Sequence, residues 1–120
     1  MDYDTPTPPP KSIRLYTVRV HEGVYEDLHG IRAFIAVSHP ANAERYIQKI
    51  VAAMERLRTL PNAWPVARTL RRRGVRHIPI GSHRVIFRVN EKAGVVDVFG
   101  VAHAKQHIGP QWLVLRAPID

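Results

Sequence analysis

The spacing of apolar positions changes several times along the chain, and each change predicts an element. Residues 13–21, IRLYTVRVH, alternate Ile13, Leu15 and Thr17 with Arg14, Tyr16 and Val18, and they are rich in β-branched and aromatic types; this predicts a strand. From Glu22 the period lengthens. Val24, Leu28, Ile31 and Ile35 fall at i, i+4, i+7 and i+11, one stripe of an amphipathic helix that Gly30 weakens without breaking. Glu22, Glu26 and Asp27 lie in its first turns, where the helix dipole favours acids. The triplet SHP at 38–40 stops that helix and starts another, because a residue before proline avoids the α region while Pro40 suits a first helical turn. A second helix is expected over about 40–60, with Ala43, Ile47, Ile50, Met54 and Leu57 as its buried stripe and Pro61 closing it. So short a connector predicts two antiparallel helices lying together.

After a loop, PNAWPVART, come GVRHIPI, HRVIFRV and VVDVFGVAH, three expected strands. Gly81-Ser82 between the first two is the signature of a type II′ hairpin. Counting outward from it opposes Ile80 to His83, Pro79 to Arg84, Ile78 to Val85, His77 to Ile86, Arg76 to Phe87 and Val75 to Arg88. Directly opposed residues share a side of the sheet. Ile78, Ile80, Val85, Phe87 and Val89 therefore face the helices, and His77, Arg84 and Arg88 face away, with Val75, Ile86 and Pro79 between them. The expected fold is α+β with the order β-α-α-β-β-β: a helical hairpin packed on one face of a mainly antiparallel four-stranded sheet whose other side is open. Residues 1–12, with four prolines, are expected to be a disordered tail, 13–108 one domain and 109–120 a C-terminal tail.

Composition narrows the class. A chain of 120 residues suits one domain, and 45 % apolar with 23 % charged residues is a folding composition. There is no cysteine, which excludes disulfides and thiolate chemistry and fits a reducing cytoplasm. No apolar run is long enough for a bilayer, and the start MDYDTPTPPPK is acidic where a signal peptide is basic, so a cytoplasmic protein without membrane contact is expected. The net charge of +8 is concentrated: residues 68–92 hold eight basic side chains against Glu91 alone. Such a field attracts a polyanion or an acidic protein, and its sign leaves both open.

Four features could carry chemistry. His77, Arg84 and Arg88 share the side of the sheet away from the helices. Arg71, Arg72 and Arg73 form a run in the loop before it. His103 and His107 have the i, i+4 spacing of a metal pair if they lie on a helix, but no third ligand is near in sequence, so no metal or cofactor is expected. Trp64 and Trp112 read better as covers over a core edge than as exposed anchors.

The succession of a strand, a helix with Leu28 and Ile31, a helix P.NAERYI..I...ME.L...P, and then GVRHIPIGSHRVIFRV and VVDVFGVAH resembles the ParE/RelE superfamily, the toxin halves of bacterial type II toxin–antitoxin modules. The likeness runs from about Leu15 to His107. It implies one of two activities. RelE-type members cut messenger RNA in the ribosome with basic residues on the open side of the sheet and a Tyr or His near the C-terminus; ParE-type members bind and poison DNA gyrase. The arginine of the third-strand motif is present as Arg84, but Val75 and His77 stand where RelE-type enzymes have lysines, and the segment after the last strand, HAKQHIGPQW, has Ala104 near their arginine and no tyrosine. Cleavage by a ribose hydroxyl needs a base, a cation at the phosphorane and an acid, and one arginine does not fill three roles. The resemblance thus implies a ParE-like inhibitor of DNA gyrase. Its cognate acidic antitoxin would neutralise it, with Arg71, Arg72, Arg73, His77, Arg84 and Arg88 as the contact surface for target or antitoxin. The alternative is a ribosome-dependent endoribonuclease in which His77, His103 and His107 serve Arg84 as acid and base. A third possibility is an inert member whose one partner is its antitoxin.

Overall fold

The structure is a computed structural model and describes residues 14–64 and 74–117. The elements are strand β1 (Thr17–Val20), helices α1 (Glu22–Ser38) and α2 (Pro40–Glu55), strands β2 (Val75–Ile80), β3 (His83–Asn90) and β4 (Val95–His103), and helix α3 (Pro110–Arg116). They form one sheet in the order β1-β4-β3-β2. β2-β3 and β3-β4 are antiparallel and β1-β4 is parallel, so the sheet is mixed and mainly antiparallel. Arg71, Arg72 and Arg73 lie outside the described residues.

The hairpin has the register counted from its turn, Ile80 opposite His83 through Val75 opposite Arg88. Gly81 takes φ +56° and no residue other than glycine has positive φ among those described, so Ser82 is on the ordinary side and the turn is of the II′ class. The α2 stripe is buried where the spacing places it, whereas of the α1 stripe Val24 and Leu28 are buried and Ile31 and Ile35 only half-buried. Val24 and Leu28 from α1, and Ala43, Ile47, Ile50 and Met54 from α2, pack with Leu57 against Ile78, Val85, Phe87, Val96, Val98 and Val101. The helix pair breaks at Ser38-His39-Pro40, and α2 ends at Glu55 in a 3₁₀ turn, Arg56–Arg58, a few residues sooner than the spacing predicts. In β1 the core residues are Val18 and Val20; Leu15 precedes the strand and is exposed.

The other side of the sheet departs from expectation, because it is not open. A second core of Val75, Ile86, Phe99, Ala102, Ile108 and Leu113 fills it, with Trp112 and Ala117 packed alongside. Residues 109–120, expected as a tail, contain α3, which starts at Pro110 in the first turn and turns Trp112, Leu113 and Arg116 toward the sheet. A bulge in β4 prepares the seat. Val98 pairs with Phe87 and Gly100 with Ile86, which leaves Phe99 as the extra residue. The bulge lets Val96, Val98 and Val101 all face the helices while Phe99 lies under α3. A Cβ at Gly100 would stand 2.6 Å from Arg116 Nη1 and 2.7 Å from Trp112 Cζ2, so only glycine lets the helix sit this close.

One ion pair locks the arrangement. β1 ends opposite Val98 while β4 continues to His103, so the last part of β4, paired with β3 on one side, has no strand on its β1 side. Asp27 of α1 accepts the Val101 N–H (2.8 Å), and it takes two further hydrogen bonds from Arg116 of α3 (2.6 and 2.8 Å). Arg116 also donates to the Phe99 carbonyl (3.3 Å) and lies over the Trp112 ring. Replacing Gly100 by alanine should therefore destabilise the protein by about 1–3 kcal/mol through overpacking. Phe34→Ala, at an 81 % exposed site, should change stability by no more than about 0.5 kcal/mol. Urea denaturation of the two variants measures both.

Candidate functional site

Of the expected basic surface, the described residues His77, Arg84 and Arg88 share one side of the sheet, the side on which α3 packs, and both arginines are engaged within the protein. Arg84 Nη2 donates to the Gln106 carbonyl (2.5 Å), and Nη1 lies 3.4 Å from His77 Nδ1. The His77 lone pair is thereby turned toward a cation. Burial and then the Arg84 charge hold the His77 pKa below its ordinary value of 6.5, so His77 is neutral at physiological pH. Arg84 Nε is buried with no hydrogen-bond partner, an unusual state for a native polar atom. Arg88 places its guanidinium 5.2 Å from the centre of the Phe99 ring, as a cation over an aromatic face. Across the strand from Arg88 lies Asp97, which accepts from Arg19 Nε (2.6 Å) and hydrogen-bonds His21 Nε2 (2.8 Å). Burial alone would raise the Asp97 carboxyl, yet the bonds from Arg19 and His21 with their charges hold it below its usual range.

The residues of the nuclease alternative do not assemble into one site. His77 and Arg84 are neighbours on the α3 side. His103 opposes His83 at the end of β4 and lies on the helix side, with ring centres 5.5 Å apart. His107 is exposed in the loop after β4, so His103 and His107 do not share a helix and their spacing does not make a metal pair. Trp64 covers the edge of the first core and Trp112 that of the second.

A different cluster forms on the helix side. Tyr46 Oη accepts the Ser82 N–H (3.1 Å), donates to the Ile80 carbonyl (3.1 Å) and lies 2.6 Å from His83 Nδ1. His83 and His103 border a cavity of about 670 Å³ between α1 and the end of β4, which Ile31, Phe34 and Ile35 line on the helical side. Sequence reading missed Tyr46 and His83. Their signals were slight: Tyr46 lies one turn before Ile50 on the buried stripe, and His83 opens the strand after Gly-Ser.

Among known proteins, the description "ParE toxin of type II toxin-antitoxin system, parDE" matches residues 18–108. No curated protein matches the sequence significantly. Among solved structures, the chain resembles one from the chromosomal ParDE toxin–antitoxin system of P. aeruginosa, with TM-score 0.64 and 19 % identity over 76 % of this chain and 98 % of that one. It also resembles a chain of the RelBE2 toxin–antitoxin complex of Mycobacterium tuberculosis, with TM-score 0.56 and 23 % identity over 74 % and 98 %. At these identities the two structures establish the fold.

Two histidines, His77 and His83, have folded-state pKa values below 6.5 with burial as the main cause. The unfolded chain therefore binds more protons than the native one as pH falls below about 6.5, and that part of the stability, complete above 6.5, is lost on acidification. The urea midpoint should drop between about pH 7 and 5, and His77→Gln should reduce the slope over that range. A flat wild-type profile would contradict the burial of these rings. The chain belongs to the ParE toxin family.

Proposed function

We propose that this toxin acts by binding and inhibiting DNA gyrase, that a cognate antitoxin neutralises it, and that it works in the cytoplasm. The observation that carries this reading is the coverage of the α3 side of the sheet. A ribonuclease of this architecture needs a phosphate-accepting cation, a base and an acid around one open surface. Here Arg84 is bonded to Gln106 and His77, Arg88 lies against Phe99, and Trp112 with Leu113 occupies the space between the strands and solvent. A protein that works by occupying its target needs none of that chemistry and can keep its cations as structural groups.

The adjacency of His77 and Arg84 favours the ribosome-dependent endoribonuclease as second reading, since a neutral imidazole beside a guanidinium could serve as base and phosphate cation. Toxin–antitoxin chains among the similar structures support an antitoxin partner. The basic excess in residues 68–92 suits an acidic one.

Expressing the toxin alone in a bacterium distinguishes the readings. Filamentation, an SOS response and gyrase-linked chromosome breaks are expected, whereas cleaved transcripts with an intact chromosome would overturn gyrase as the target. Arg84→Ala should leave most of the toxicity. A loss of about a hundredfold or more, the scale on which a transition-state donor acts, would favour the nuclease.

A further inference from the structure

Helix α2 buries one stripe and shows solvent another that the fold does not use. Arg45, Lys49, Ala52 and Arg56 fall at i, i+4, i+7 and i+11, so they project along one line of the helix, and all four are exposed. Arg56 extends that line because its backbone keeps helical angles where α2 passes into the 3₁₀ turn. The acids of the same helix, Glu44 and Glu55, lie roughly 80–100° around the axis. Each is tied to a different arginine, Glu44 to Arg32 (3.2 Å) and Glu55 to Arg58 (3.4 Å). Among the described residues, Arg45, Lys49 and Arg56 take part in no ion pair. Their charges face water, unlike those of Arg84, Arg88 and Arg116.

The surroundings of the stripe select its partner. A cavity of about 410 Å³ runs beside it toward the end of β2, lined by Lys49, Ala52, Arg56, Pro79 and Ile80, with no acid among them. Pro79 belongs to the edge strand of the sheet and has no N–H, so an acidic peptide cannot pair there as a continuous extra strand. None of the large exposed apolar side chains lies on the stripe, which leaves a protein partner without the central anchor that such an interface needs. The stripe also carries no aromatic ring on which an unpaired base could stack. What fits is a rigid polyanion with regularly spaced charges. From Arg45 to Arg56 the helix rises about 16 Å, the length of about five phosphates along one strand of duplex DNA. Ala52 in the middle adds no bulk between the cations.

We propose that the outer stripe of α2 binds the phosphate backbone of duplex DNA, with Arg45, Lys49 and Arg56 as the contacts and without preference for sequence. Long cations on a helix reach phosphates, and a stripe with no amide side chain reads no base edges. The site is separate from the basic residues 68–92 and does not rest on gyrase being the target. Where gyrase is the target, the contact would let the toxin hold enzyme and DNA together.

The test is fluorescence anisotropy of a labelled thirty-base-pair duplex of arbitrary sequence, titrated with the full-length toxin alone at several salt concentrations. Three phosphate contacts predict that the logarithm of the affinity falls against the logarithm of salt with a slope of about −2.7, a loss of about fortyfold between 50 and 200 mM. A second duplex of different sequence should bind equally well. The double variant Lys49→Ala with Arg56→Ala should weaken binding at low salt by about tenfold or more and bring the slope to about −0.9. Lys92→Ala with Lys105→Ala removes the same charge from exposed positions away from α2 and should leave slope and affinity near those of the wild type. All four positions are exposed, and circular dichroism should show both variants folded. Equal losses in the two double variants would mean attraction by net charge alone and overturn the proposal. So would unchanged binding in the α2 variant, tighter binding of single-stranded than duplex DNA, or displacement of the duplex by polyglutamate of matched charge at equal concentration.

Discussion

The Asp27 carboxylate is the constraint on which the second layer of this protein depends. It accepts one backbone N–H from β4 and two N–H groups from Arg116, and so joins α1, the sheet and α3 at one point. The need arises from topology. A four-residue first strand cannot accompany a nine-residue fourth strand, and the unpaired remainder would leave polar backbone groups in a partly buried place. A charged acceptor from the helix and a charged donor from the C-terminus supply the missing partners. Hydrogen bonds to ionised groups are about twice as strong as neutral ones, and Asp27 and Arg116 are both largely shielded from solvent, so the clamp is worth more than a surface pair.

With α3 in place, the two faces of the sheet have different chemistry. On the α3 side the arginines and His77 are bonded to carbonyls, rings and one another, and the cation density that suggests phosphate binding is spent on the protein itself. On the helix side, the cavity beside α1 sets a tyrosine, two imidazoles and the carboxylates of Glu26 and Asp27 among apolar residues. The first arrangement suits structural cohesion; the second suits recognition of another chain. The division explains how a strongly basic member of a toxin family can be read as a binding protein instead of a nuclease.

Much of this was legible in the sequence. Gly81-Ser82 fixed the hairpin register, and that register placed Arg84, Arg88 and His77 on one side and Phe87 with Val85 on the other, as the structure has them. The helical stripes were legible for the same reason: a 3.6-residue period needs no long-range information. What was hidden depends on contacts between distant residues. The bulge at Phe99 shifts the strand parity by one, so His103 faces away from Arg84, and no local pattern marks such a shift. Helix α3 has seven residues, too few for a convincing period, although Pro110, Trp112, Leu113 and Arg116 stand at helical spacing. The unbroken burial of β4 from Val96 to Ala102 had a trace in the sequence, since a strand apolar on both sides asks for a layer on each. Asp27 read as a charge suited to a helix start, and its partner Arg116 is far along the chain.

The most direct test is nuclear magnetic resonance of the free protein in solution. If α3 closes the sheet, the Trp112 indole protons will show strong Overhauser contacts to the Gly100 α-protons, and the Val101 amide, bonded to Asp27, will exchange with solvent slowly. Fast exchange at Val101, together with residues 110–116 tumbling independently and giving no contacts to Gly100, would contradict the closed sheet and the case against nuclease chemistry built on it.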